Sequence, residues 1–290
     1  MIEDYIKLIR AHHYVKNLMI FFPCFFAGSI YQIVQSTDVF EAFLSFCLVA
    51  SFIYILNDLR DMEADKLHPT KSKRPLASGK IKPVNAILIG LVLLSLGLSL
   101  AFHVNSQVLT LICIYLIMNI AYSLGLKNIA ILDVFIVALG FVLRILVGGA
   151  ASNLLISKWL IITTFLLSLG LVLGKRYDDI VLTNKNISSD IRSVTKKYNL
   201  EFIRNALVMV FTLATMCYII YSIDPLIEQK FESHYFYTTS LPVVLGVFRY
   251  FAIVFIENKS ASPVKIALRD KFILACLFIW ASMFLYFIYL

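Results

Sequence analysis

Nine runs of mostly Leu, Ile, Val, Phe and Ala, each roughly 17–25 residues long, set the terms on which this chain can fold. They fall at about 17–35, 39–56, 84–104, 107–126, 129–149, 158–174, 205–223, 238–256 and 272–290. A helix of that length crosses the hydrocarbon of a bilayer, where only helices and closed barrels satisfy their own backbone. The runs lack the apolar–polar alternation of a barrel strand. The expected fold class is therefore all-α: a polytopic membrane protein of nine transmembrane helices. Composition agrees, with 60% apolar and only 15% charged residues, against about 25% charged in soluble domains. That balance excludes disorder, collagen, a coiled coil and a disulfide scaffold. The five cysteines all lie in apolar runs, never as CxxC, and read as small hydrophobes.

The links His103 to Gln107 and Leu126 to Ile129 are short enough to make neighbouring helices antiparallel. No linker, low-complexity stretch or soluble module interrupts the chain, so residues 1–290 read as one transmembrane domain. The opening MIEDYIKLIRAHHYVKN is polar for too long to be a cleavable signal peptide, and the first apolar run is expected to be a span. Lys and Arg set the orientation. With the N-terminus cytoplasmic, all but four of the 26 fall on the cytoplasmic side. Lys158 and Lys230 lie outside, and Arg144 and Arg249 lie within spans. The expected placement is the inner (plasma) membrane, N-terminus in and C-terminus out. The net charge of +8 is then a property of the cytoplasmic face. It suits anionic headgroups or an anionic substrate, with no sign of nucleic-acid binding.

The second run continues into Asn57-Asp58-Leu59-Arg60-Asp61-Met62-Glu63-Ala64-Asp65. On a continuing helix Asn57, Asp61 and Asp65 stack on one face with Asp58 on its flank. Like charges at that spacing repel unless a cation lies between them, and these oxygens suit Mg²⁺, with Mn²⁺ left open. The following loop, His68 to Gly79, carries Lys71 and Arg74, and an acidic metal centre beside Lys and Arg makes a cradle for a diphosphate.

NDLRDMEADKLHPTKSKRPLASG resembles the NDxxDxxxD signature and following loop of the UbiA superfamily of intramembrane prenyltransferases, and YSLGLK (Tyr122 to Lys127) agrees. The resemblance covers nearly the whole chain. It implies a UbiA-like helical bundle with a cytoplasmic-side active-site cleft and one catalytic domain. After the sixth run the family's aromatic prenyltransferases carry a second spaced Asp motif. Here that place reads Gly174-Lys175-Arg176-Tyr177-Asp178-Asp179. GKRY, HPTK, RILVGG (Arg144 to Gly149), Arg249-Tyr250 and ALRD (267–270) are similar to the decaprenyl-phosphate phosphoribosyltransferase subgroup.

That resemblance implies transfer of 5-phosphoribosyl from phosphoribosyl diphosphate to a polyprenyl phosphate, supplying lipid-linked pentose for a cell-envelope polysaccharide. The expected metal ligands are Asn57, Asp61 and Asp65, and Asp58 or Asp61 would steady the cationic anomeric carbon. Lys71, Arg74, Lys127, Lys175, Arg176 and Tyr177 would hold the donor, and Lys16, Asn17, Arg144 and Arg249 the lipid phosphate. Two rivals remain: prenyl transfer to an aromatic acceptor, which Asp178-Asp179 keeps open, and a transporter of an anionic lipid or metabolite. Homo-oligomerisation stays open. His12, His13, His103 and His234 are scattered and read as surface or interfacial residues.

Overall fold

The computed structural model describes residues 2–29, 37–67, 71–184, 197–257, 266 and 269–289. Every regular element among them is helical. Eight helices among the described residues are long and apolar enough to cross a membrane: Thr37–Arg60, Pro83–Val104, Ser106–Leu124, Leu132–Ser152, Lys158–Val181, Leu200–Ser222, Phe236–Ile256 and Lys271–Tyr289. They match the second to ninth expected spans.

The first expected span, 17–35, runs partly outside the described residues, so the count among them is eight. The described part of the 17–35 run folds as a 3₁₀ helix, Ala11–Phe21, followed by the five-residue helix Phe22–Phe26, and residues 30–36 lie outside the described residues. His12, His13, Tyr14 and Val15 are poor helix formers. Side-chain tethers hold this stretch against Thr37–Arg60: Tyr14 Oη lies 2.9 Å from Ser51 Oγ, and Asn17 Nδ2 donates to Cys47 Sγ at 3.1 Å. Pro23 then restarts the helix in its first turn. His68, Pro69, Thr70, Lys185, Arg192, Lys196, Lys259, Lys265, Ala267 and Leu268 also lie outside the described residues.

The chain divides into two compact units, Met1–Lys127 with Gly140–Ile156, and Asn128–Leu139 with Ser157–Leu290. In the first unit Thr37–Arg60 is the inner helix, and Ile20, Phe46, Val49, Ile53, Ile112, Leu143 and Val147 form the core around it. Pro83–Val104 lies along it through a stripe of small residues, Ala86, Gly90, Gly97 and Ala101, while Leu88, Leu91, Val92 and Leu96 face outward. Lipid tails are as apolar as Leu, so close van der Waals approach and polar contacts have to hold helices together. Ser45 Oγ donates to the Gly97 carbonyl at 2.6 Å, and a Cβ on Gly97 would sit 2.8 Å from Val49 Cγ2. A smaller cluster of Leu8, Ile55, Leu76, Ile81 and Ala86 fixes the N-terminal helix Ile2–Ile9 beside the loop that follows Asp65.

In the second unit Lys158–Asn184 packs on Leu200–Ser222 around Leu169, Leu173, Leu207 and Phe211, joined by Tyr250 and Ile253. The helix Ser240–Phe251 ends in a π-helical turn, Ala252–Ile256, a form common at functional sites.

Gly97→Val should destabilise the chain by about 1–3 kcal/mol, because the crossing cannot widen without moving backbone. Thermal unfolding in detergent measures it. Gly90→Ala, whose Cβ would meet Phe52 at an ordinary 3.4 Å, should be tolerated. Equal midpoints for the two variants would remove the close-approach explanation.

Candidate active site

The acidic segment sits where Thr37–Arg60 ends. Asp61 breaks the helix, and Met62–Lys66 continues it for one more turn. The i→i−4 bonds Asp61 N to Asn57 O (2.9 Å) and Asp65 N to Asp61 O (2.8 Å) carry the helical register across the break. Asp58, two turns below Asp65, therefore shares its face. Asp58 and Asp65 are only 3% and 4% exposed. Buried carboxylates at a membrane surface need counter-cations, and the chain supplies one for each. Arg74 Nη1 lies 3.1 Å from Asp58 Oδ1 and 2.6 Å from Asp65 Oδ2, so one nitrogen joins both acids. Arg10 Nη2 donates to the same Asp58 oxygen, with its guanidinium 5.0 Å from the Tyr54 ring centre. Lys127 Nζ donates to both oxygens of Asp61, at 2.9 and 3.1 Å.

The turn after Ser106–Leu124 is tied to the same place. The Ser123 hydroxyl donates to Asn57 Oδ1. Arg60 donates to the Ser123 and Leu124 carbonyls, the latter at 3.0 Å, satisfying acceptors that the end of that helix leaves open. Asn57, Asp58, Asp61, Asp65, Arg74 and Lys127 are thus gathered in the first unit, as the sequence leads one to expect. Arg10, Arg60 and Ser123 join them unannounced. Lys71 is half-buried, on the 3₁₀ turn Lys71–Lys73.

Among the described residues, no three His, Cys, Asp or Glu side chains are grouped to hold a metal ion. Asp58 and Asp65 do converge on a single point, and the structure puts a positively charged nitrogen there. Two hard carboxylates of that disposition fit a divalent ion that completes its shell with water and substrate phosphate. This pair differs from the expected set of Asn57, Asp61 and Asp65. Asn57 is taken by Ser123 and Asp61 by Lys127.

Arg144 lies inside the first unit, 5% exposed. It donates to Asn17 Oδ1 at 2.8 Å and to the Gly140 carbonyl at 2.6 Å, and it stacks 4.7 Å from the Phe46 ring centre. No carboxylate among the described residues pairs with it. Lys16, on the same 3₁₀ helix as Asn17, is exposed.

The second unit holds a separate ionic cluster. Asp133 is fully buried. Its Oδ2 accepts from Arg176 Nε at 3.1 Å and Nη2 at 2.9 Å, and its Oδ1 accepts from the Tyr198 hydroxyl at 2.5 Å. That hydroxyl also accepts from Ile131 N at 2.6 Å, fixing a turn in which Ile131 has a positive φ of 74°. Burial, then the bond to Asp133, pushes the Tyr198 phenol up to about 12. Arg176, expected at a donor phosphate, is committed to Asp133 inside the protein. Lys175 beside it is exposed, and Tyr177 packs edge-on against Phe255 at 5.8 Å. Arg249, expected at the lipid phosphate, is clasped by Asp270 (2.8 Å) and Glu257 (2.6 Å). That guanidinium holds the Asp270 carboxyl below its ordinary value.

Two histidines lie on the surface beside acids, His103 against Glu41 and His234 against Glu228. A surface depression of about 310 Å³, lined by Asp4, Tyr5, Lys80, Ile81, Lys82 and Asn85, contains none of the expected site residues.

An all-helical membrane fold with an NDxxDxxxD segment ringed by cations defines an intramembrane transferase of the prenyl class. Residues 18–281 match the UbiA prenyltransferase family, and the chain belongs to it. It is 31% identical to a decaprenyl-phosphate phosphoribosyltransferase of Corynebacterium glutamicum, over 96% of this chain and 84% of that one. It is 28% identical to a protein of the same name from Mycolicibacterium smegmatis, over 97% and 91%. A UbiA homologue from Archaeoglobus fulgidus, solved bound to DMAPP and Mg²⁺, shares the fold with a TM-score of 0.67 at 18% identity, over 98% and 97% of the two chains.

Asp133→Asn would leave the Arg176 guanidinium buried without its counter-charge. It should cost about 3–5 kcal/mol, seen as a large fall in unfolding temperature. Tyr198→Phe removes two hydrogen bonds, to Asp133 and from Ile131 N, and should cost about 2 kcal/mol. A mild effect of Asp133→Asn would mean that water reaches the cluster.

Proposed function

We propose that this chain transfers 5-phosphoribosyl from phosphoribosyl diphosphate to a polyprenyl phosphate of decaprenyl type, releasing diphosphate. The product, a polyprenyl-phosphoryl-5-phosphoribose, supplies pentose for cell-envelope polysaccharide synthesis. The observation that carries this reading is the likeness to decaprenyl-phosphate phosphoribosyltransferases along nearly the whole chain, which includes both ionic clusters. The enzyme works in the plasma membrane, N-terminus cytoplasmic and C-terminus outside, as one catalytic domain. The match over residues 18–281 runs through both units and supports the last point.

Asp58 and Asp65, with Asp61 one turn from each, would hold a divalent cation, Mg²⁺ or Mn²⁺. Such an ion would supply positive charge against the leaving diphosphate. Arg74, Lys71 and Lys127 bind and orient that diphosphate, with Arg74 suited to bidentate phosphate contact. The C1–O bond breaks with its electron pair leaving on the diphosphate. An oxygen of the acceptor phosphate forms the new bond to C1. The acceptor is already an anion at neutral pH, so no base has to remove a proton. The anomeric carbon passes through an oxocarbenium-like state, which the Asp61 or Asp58 carboxylate steadies.

In the second unit Lys175 and Tyr177 serve a donor phosphate, and Arg176, held by Asp133, braces them. Arg144 with Asn17 and Lys16 attracts the lipid phosphate, since a buried guanidinium with no carboxylate partner among the described residues suits an anion. Arg249 is the weaker candidate for that role because two acids already neutralise it. Whether the enzyme works as a single copy or a homo-oligomer does not alter these assignments.

Purified protein given Mg²⁺, polyprenyl phosphate and ribose-labelled phosphoribosyl diphosphate should move label into the organic phase as an acid-labile phosphodiester. EDTA should abolish the transfer, and Asp61→Ala should be folded and inactive. Prenyl transfer from a prenyl diphosphate to 4-hydroxybenzoate, with no ribose label in lipid, would overturn the reading and favour the aromatic rival that Asp178-Asp179 keeps open.

Lys175→Ala should raise the donor's KM by roughly 10- to 150-fold, the loss of one charge-assisted phosphate contact, and change the lipid's KM less. Equal KM values for the donor in the variant and the parent would return Lys175 to the general positive charge of the cytoplasmic face.

A further inference from the structure

We propose that Arg74 is an internal counter-cation that occupies the divalent-cation point of the acidic segment and transfers to the donor's diphosphate when substrate binds. The proposal rests on the divalent-cation reading above and adds which residue must leave before the ion can enter.

Arg74 Nη1 is shared between Asp58 and Asp65, at 3.1 and 2.6 Å. A single nitrogen bridging two nearly buried carboxylates stands where an ion with carboxylate ligands from both would stand. The two cations on Asp58 are not equivalent. Arg10 lies at the junction of the N-terminal helix and the 3₁₀ helix, over the Tyr54 ring. The Ile9 carbonyl beside it accepts from Ser51 Oγ at 2.9 Å. Its side chain is 19% exposed and seated. Arg74 is 30% exposed and follows the short turn Lys71–Lys73. Its backbone N is held by the Lys71 carbonyl at 2.9 Å, and Pro75 and Leu76 behind it are buried. The backbone is thus anchored while the long side chain can swing.

Arg10 therefore keeps Asp58 oriented throughout, and Arg74 exchanges partners. Before substrate binds, Arg74 neutralises Asp58 and Asp65, which would otherwise repel each other. When a cation-bound diphosphate arrives, the carboxylates take the cation and the guanidinium takes the phosphate. Each charge keeps an opposite partner, so no bare charge is left in a poorly solvated place. The exchange makes a separable statement about metal and phosphate. Removing Arg74 should help the metal, by removing its competitor, and harm the phosphate, by removing its ligand.

The test uses the full-length protein in detergent with Mn²⁺ and inorganic diphosphate as probes. Mn²⁺ binding is read by the loss of the free-ion electron paramagnetic resonance signal, and diphosphate binding by calorimetry at saturating Mn²⁺. Arg74→Gln should bind Mn²⁺ on the order of tenfold more tightly than the parent and diphosphate on the order of tenfold more weakly. Arg74→Lys, which keeps a charge but cannot span both acids as a fork, should fall between the two on both readouts. If Arg74→Gln is poorly folded, Arg74→Lys carries the comparison with the parent, in the same two directions.

Mn²⁺ affinity that is unchanged or weaker in a folded variant would overturn the proposal. So would tighter Mn²⁺ with unchanged diphosphate, since Arg74 would then not pass to the phosphate. Neither probe contains ribose or lipid. A failed phosphoribosyl transfer with this pattern intact would therefore count against the reaction assignment alone.

Discussion

A carboxylate at the edge of a bilayer cannot be left without a cation, and much of this molecule follows from that. Apolar helices in lipid have little to fix their mutual register, because every face is equally well solvated. Polar contacts supply the register. Asp58, Asp61 and Asp65 draw in the N-terminal segment through Arg10, the loop through Arg74, and the turn after Ser106–Leu124 through Lys127. In the second unit Asp133 does the same for Arg176 and Tyr198, and Asp270 for Arg249. Breaking the Asp133–Arg176 pair, 0% and 4% exposed, would leave a charge in a place that water reaches poorly, which is why it acts as a fixed point.

The spans were legible because the bilayer imposes one length and one periodicity, and eight of the expected runs form helices at nearly the expected places. Pro83 and Asn105, which open two of them, carry ordinary helix-start signals. The 17–35 run was legible as apolar but not in the helix type of its described part. Hydropathy measures the solvent a segment prefers and not the helix type it adopts. Tyr14 and Asn17 reach Ser51 and Cys47 from a 3₁₀ path, a tertiary choice that no local pattern announces.

The site was legible in its acids and only partly in its bases. Asn57, Asp58, Asp61 and Asp65 lie within one short segment, so helical spacing alone places them together. Their partners come from far along the chain: Arg10 is 48 residues from Asp58, and Lys127 is 66 from Asp61. A cation near a span end looks the same in sequence whether it faces solvent, phosphate or an acid. Arg176 and Arg249 read as phosphate ligands because their acids Asp133 and Asp270 lie 43 and 21 residues away along the chain. Asp133 carried a usable signal, since an acid in the first turn of a span is expensive unless it has a partner.

The cation count then acquires a different meaning. Of the basic residues expected to serve phosphates, Arg74 and Lys127 hold acids in the first unit, and Arg176 and Arg249 hold acids in the second. These four cations are therefore not a standing pool of empty phosphate sites. Arg144 differs in kind, since its acceptors among the described residues are the neutral oxygens of Asn17, Gly140 and Tyr115. Burial divides the paired set further: Arg176 and Asp133 are 4% and 0% exposed, whereas Arg74 and Lys127 are 30% and 27% exposed. A site built this way stays neutral when empty and neutral when full. In each unit the acids and bases named here compensate one another, with no uncompensated cluster of either among these pairs.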